Sequence, residues 1–116
     1  MKPHERSLLS DIQQGCQQIV ERLGGRSREQ YSQDRSLQLA IERLFVIIGE
    51  AGTRLVKHFP NTAAAIVNLK EAIQFRNFLV HVYDQIQNPK VWDIAETDIP
   101  KLLAEVETML ASCDGE

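Results

Sequence analysis

Cysteine is nearly absent from this chain. Cys16 and Cys113 stand far apart, one on the apolar face of a predicted helix and one near the C-terminal end, in no spacing that metal or redox motifs use. Aromatic residues make up only 6%, and no apolar run approaches the length of a membrane-spanning helix. Excess positive charge is lacking too. Thirteen Lys and Arg against sixteen Asp and Glu give a formal charge of -3, which speaks against a wide phosphate-binding face but leaves room for a small local one. The opening Met1-Lys2-Pro3-His4-Glu5-Arg6 leads into polar residues rather than an apolar segment, so a soluble, cytoplasmic protein with no membrane partner is expected. No glycine-rich phosphate loop, zinc-type Cys/His spacing or Ser-His-Asp ordering is present, and Asp84 and Asp93 are too loosely placed for a two-metal site. No metal or other cofactor is indicated.

What is present is helical. The 116 residues, 43% apolar and 25% charged, suit one domain over 1–116 with a respectable core. Leu9, Ile12, Cys16, Ile19, Val20 and Leu23 recur at threes and fours, which predicts a helix from Ser7 to Leu23 that Gly24-Gly25 ends. Gly24 to Gln33 reads as a polar connection anchored by Tyr31 and wrapping over the core. Leu37, Ile41, Leu44, Ile48, Ala51 and Leu55 predict a long central helix from about Asp34 to Lys57, stopped by Pro60. Asn61 or Thr62 can cap a third, in which Ile66, Leu69 and Ile73 continue the period. After a break over Asp84 to Pro89, Val91, Trp92 and Ile94 suit a short helical turn with Trp92 as a core anchor. Thr97 or Asp98 can then cap a final helix carrying Pro100 in its first turn. With no strand-like alternation or hairpin signal competing, the expected fold is an all-α up-and-down bundle of four main helices and one minor.

One stretch carries chemistry: Arg76-Asn77-Phe78-Leu79-Val80-His81-Val82-Tyr83. RNA can be cut without metal when its 2′-hydroxyl attacks the adjacent phosphate, provided one group takes the proton and another stabilises the anionic transition state. An imidazole titrates near neutral pH and suits the first task, and a guanidinium stays charged and grips two phosphate oxygens, which suits the second. His81 and Arg76 supply them, Asn77 can add a hydrogen bond, and Tyr83 can orient a phosphate or accept a modification. Five residues along a helix turn the direction by about 140°, so Arg76 and His81 do not share a face. Either the helix kinks or ends within the motif, or two copies of the chain line one cleft. A two-fold dimer would supply two histidines, one to take a proton and one to give it. The bland reading is that Arg76 pairs a nearby carboxylate and His81 is a half-buried, hydrogen-bonded residue. Glu50 divides likewise: it forms an i,i+4 ion pair with Arg54, or it orients Arg76 or His81. His58 suits a solvated helix end and His4 a tail.

The Arg-x-x-x-x-His-x-Tyr spacing resembles the signature of the HEPN superfamily. Within it, Phe75 through Tyr83, the central Ile47-Ile48-Gly49-Glu50-Ala51, Val91-Trp92 and Asp98-Ile99-Pro100 resemble the HepT branch, over about three quarters of the chain. The resemblance implies a HEPN-type bundle, a homodimer, and a metal-independent endoribonuclease toxin whose cleft is formed by Arg76 and His81 with Asn77 as a helper. It also implies a type VII toxin–antitoxin pair, in which a minimal nucleotidyltransferase antitoxin transfers AMP onto Tyr83. Val82 departs from the pattern, standing where many relatives carry glycine, and so narrows the backbone before Tyr83. RNA is the expected substrate and DNA is not. Two other readings stay open: a non-catalytic helical adaptor that contributes substrate binding to a minimal nucleotidyltransferase, which the acidic balance favours, and a purely structural module whose bundle face dimerises.

Overall fold

The structure is a computed structural model and describes residues 1–81 and 88–114; the side chains of Asn88, Cys113 and Asp114 are not among those described. Among the described residues six helices follow one another: α1 Pro3–Leu23, α2 Arg28–Ser32, α3 Arg35–His58, α4 Pro60–Ala64, α5 Leu69–His81 and α6 Asn88–Asp114. No strand occurs among the described residues. Helix α1 packs on α3 and α6, and α5 packs on α3, so the expected all-α bundle is present with α3 at its centre.

The expected stripes are the buried ones, except that Val20 is 41% exposed. Leu9, Ile12, Cys16 and Ile19 of α1 meet Ile41, Phe45, Ile48 and Leu55 of α3, all fully inaccessible. Helix α1 stops where Gly25 takes φ 76°, a conformation that a side chain would penalise. Tyr31 does anchor the following segment, buried against Trp92 at 5.7 Å between ring centroids. That segment is more ordered than a plain connection. Ser27 and Gln30 cap each other's backbone N–H groups at 3.1 and 2.9 Å and start the one-turn α2.

Four expected boundaries differ, the first being the start of α1, at Pro3 rather than Ser7. Pro60 begins a helix instead of only ending one: it occupies the first position of α4, Phe59 is the cap, and neither Asn61 nor Thr62 has that role. A proline ring is suited to that position because its missing N–H has no partner there anyway. The Thr62 hydroxyl bonds Glu5 of α1. Helix α5 then starts anew at Leu69, its approach fixed from across the bundle, where the Glu105 carboxylate accepts from Val67 N–H at 2.6 Å and Asn68 N–H at 3.1 Å. At the C-terminal end, the separate turn over Val91 to Ile94 and the helix capped by Thr97 or Asp98 are one helix, α6, with Pro100 inside it. Trp92, Ala95, Ile99, Leu102, Val106 and Leu110 form an unbroken buried stripe, and that burial outweighs one missing backbone hydrogen bond. Pro100 and Glu96, whose carbonyl loses its partner, are both exposed, so water can take the vacant acceptor. His4, expected in a tail, lies in α1 with its ring 5.6 Å from that of His58. Most of the expected break from Asp84 to Pro89 lies outside the described residues, and Pro89 sits in the first turn of α6.

Candidate functional site

Two glycines in α3 let α5 approach closely. A Cβ on Gly49 would lie 2.1 Å from Cβ of Arg76, and one on Gly52 would lie 2.9 Å from Leu69. Glycine inside a helix costs about 1 kcal/mol against alanine, and at Gly49 the gain is a seat for the Arg76 stem against the α3 backbone. The Arg76 side chain is 25% exposed and divides its donors. Nη1 reaches Oδ1 of Asn77 at 3.1 Å and Nη2 reaches Oε1 of Glu50 at 3.5 Å, while Nε is buried without a partner. Glu50 thus faces Arg76 across the helix pair. At 3.5 Å and 42% exposure of the carboxylate, this ion pair aims the guanidinium more than it stabilises the fold.

His81 is the last residue of α5 and is exposed, and Asn77 is exposed one turn before it. Because α5 runs unbroken from Leu69 to His81, Arg76 and His81 leave it about 140° apart, with no kink between them to close the angle. The structure therefore brings together Arg76, Asn77 and Glu50, and sets His81 at the far end of the same exposed arc. Tyr83 and Val82 lie outside the described residues. Between Arg76 and His81 on that arc stand Ile73, partly buried, and Val80, 44% exposed.

The apolar surface continues past the arc. Val56, Val67 and Ile73 line one shallow groove of about 530 Å3 beside α4, and Val56 and Val67 are 47% and 79% exposed. These valines, like Gly49, were not among the residues that the motif pointed to. Gly49 had a signal in the sequence, a glycine inside a long helical period, whereas the valines had none, since scattered apolar residues are normal on surfaces. Among the described residues no three His, Cys, Asp or Glu side chains gather where they could hold a metal ion, and no helix is long and apolar enough to cross a membrane.

Comparison with known proteins matches residues 12–109 to the family model of HepT-like ribonucleases. A protein of Caldanaerobacter subterraneus, provisionally named an RNase, is 33% identical over 90% of this chain and 93% of its own length. A provisionally named RNase of Methanocaldococcus jannaschii is 28% identical over 99% of this chain and 94% of its own. The probable ribonuclease HepT of Thermococcus cleftensis is 28% identical over 94% of this chain and 98% of its own. No solved structure matches at a significant level.

Proposed function

The chain belongs to the HepT-like ribonuclease family, and from that footing we propose that it is a metal-independent endoribonuclease acting as a homodimer, the toxin of a type VII toxin–antitoxin pair. The observation that carries this reading is the placement of Arg76: seated on Gly49, aimed by Glu50 and Asn77, and standing on one exposed arc with His81. Neither residue completes a site alone. A second copy packed by two-fold symmetry on the Ile73–Val80 side of α5 would cover the exposed valines and face the two arcs toward each other.

In the joint cleft one His81 takes the proton of the 2′-hydroxyl as its oxygen attacks phosphorus. The bond from phosphorus to the 5′-oxygen breaks, and the other His81 protonates that leaving oxygen. Arg76 holds the non-bridging oxygens, whose negative charge grows in the transition state, and Asn77 adds a donor. The products are a 2′,3′-cyclic phosphate and a 5′-hydroxyl. A minimal nucleotidyltransferase partner would silence the site by joining AMP from ATP to the Tyr83 hydroxyl with release of pyrophosphate, placing bulk and negative charge two residues beyond His81.

The test is cleavage of RNA in excess chelator. Wild type gives products ending in cyclic phosphate, while His81→Ala and Arg76→Ala each lose at least about 100-fold in rate with unchanged helical circular dichroism. Cleavage by His81→Ala at the wild-type rate would remove the mechanism. Absence of cleavage by wild type, together with tight binding to a nucleotidyltransferase, would favour the adaptor reading that the charge of -3 suits.

A further inference from the structure

Helices α5 and α6 leave a cleft of about 270 Å3 between them, walled by Phe45, Phe75 and Phe78 and by Ile94, Ile99 and Leu102. Its polar groups are graded from end to end. Lys90, Ile94 and Asp98 of α6 stand at successive i,i+4 positions on one face, so a cation and a carboxylate lie about 12 Å apart with Ile94 between them, and Gln74 of α5 adds an amide to the lining. Contact of Lys90 with the Phe78 ring, 5.0 Å from Nζ to its centroid, and the bond between Asn68 and Glu105 set the two helices antiparallel. Glu71 of α5, two turns before Phe78, therefore lies toward the Asp98 end. His81 is three residues beyond Phe78, on the neighbouring stretch of the same helix surface at the Lys90 end.

Resting on the ribonuclease reading, we propose that this cleft is a nucleotide subsite for the RNA substrate, selective for an unstacked base that carries an exocyclic amino group. The phosphate lies toward Lys90 and His81. The base lies on the Phe75–Phe78 wall, where every base has a face to offer. Its amino group donates to the carboxylate of Asp98, as the cytosine amino group does to acidic side chains elsewhere. The two carboxylates exclude a phosphate from that end, which fixes the direction. Adenine, cytosine and guanine present an amino group to the acceptors, whereas uracil offers only its ring N3–H, flanked by two carbonyl oxygens that carboxylates repel.

Two readouts test it. Wild-type protein titrated with AMP, CMP, GMP and UMP, followed by NMR, should bind the first three about tenfold more tightly than UMP, a preference that Asp98→Asn erases. Lys90→Ala should weaken all four alike. In parallel, end-mapping of a random-sequence RNA should show uridine under-represented beside wild-type cuts and restored there by Asp98→Asn. Equal affinity for all four nucleotides, or cut positions unchanged by Asp98→Asn, overturns the subsite while leaving the ribonuclease standing. The expected nucleotide preference with no RNA cut overturns the ribonuclease reading and keeps the cleft as a nucleotide site.

Discussion

At the scale of single residues, Gly49 is the position whose smallest change should be felt at Arg76. A methyl group there meets the Arg76 stem at 2.1 Å, which no real pair of carbons tolerates, so α5 or the arginine must move. Gly49→Ala should lower unfolding free energy by about 1–3 kcal/mol and lower RNA cleavage by a larger factor than the loss of folded protein explains, as chemical denaturation and initial rates together would show. Glu42 gives a pH-dependent case. Burial raises its carboxyl above the ordinary glutamate value, only partly opposed by Arg35 at 3.5 Å. A carboxyl raised in the folded state holds a proton that the unfolded chain has already shed, so its contribution to stability falls as pH climbs through that window. Glu42→Gln should therefore melt higher than wild type at about pH 8 and show no such advantage at about pH 3.5, below both titrations. Cys16 is inaccessible and its thiol is pushed up to about 12 by burial, with Glu107 adding to it, so it should resist alkylation until the chain unfolds. Arg76, Asn77 and His81 were legible in the sequence as residue types at a spacing. The seat on Gly49 was legible only in part, because a glycine inside a long helical period marks a close approach without saying which side chain makes it.

At the scale of elements, the long helices α1 and α3 could be read from their apolar period because burial decides their faces over several turns. The ends were harder. Local signals at Thr97, Asp98 and Pro100 favour a helix start, and the stripe from Trp92 to Leu110 overrides them. If the exposed proline is only tolerated, Pro100→Ala should restore a backbone hydrogen bond and stabilise the protein by about 1–3 kcal/mol, measured by urea unfolding. The start of α5 was unreadable for another reason: its cap comes from Glu105, 37 residues away. Glu105→Ala should cost about 1–2 kcal/mol, with faster amide exchange at Val67 and Asn68.

At the scale of the whole molecule, α5 is packed on α3 along one side, borders an open cleft toward α6, and presents an arc with Arg76 and His81 at its two edges. No rotation within a regular helix removes the 140° between those edges, whereas a second arc facing the first does. On the proposed reading, a dimer therefore belongs to the chemistry as well as to the assembly. The direct measurement is a subunit-mixing titration, in which wild-type and His81→Ala protein are equilibrated in varying ratio at fixed total concentration and RNA cleavage is followed. If each cleft uses a histidine from both copies, activity falls as the square of the wild-type fraction, because every mixed dimer is dead. A straight-line decline, each wild-type chain contributing on its own, would contradict the account.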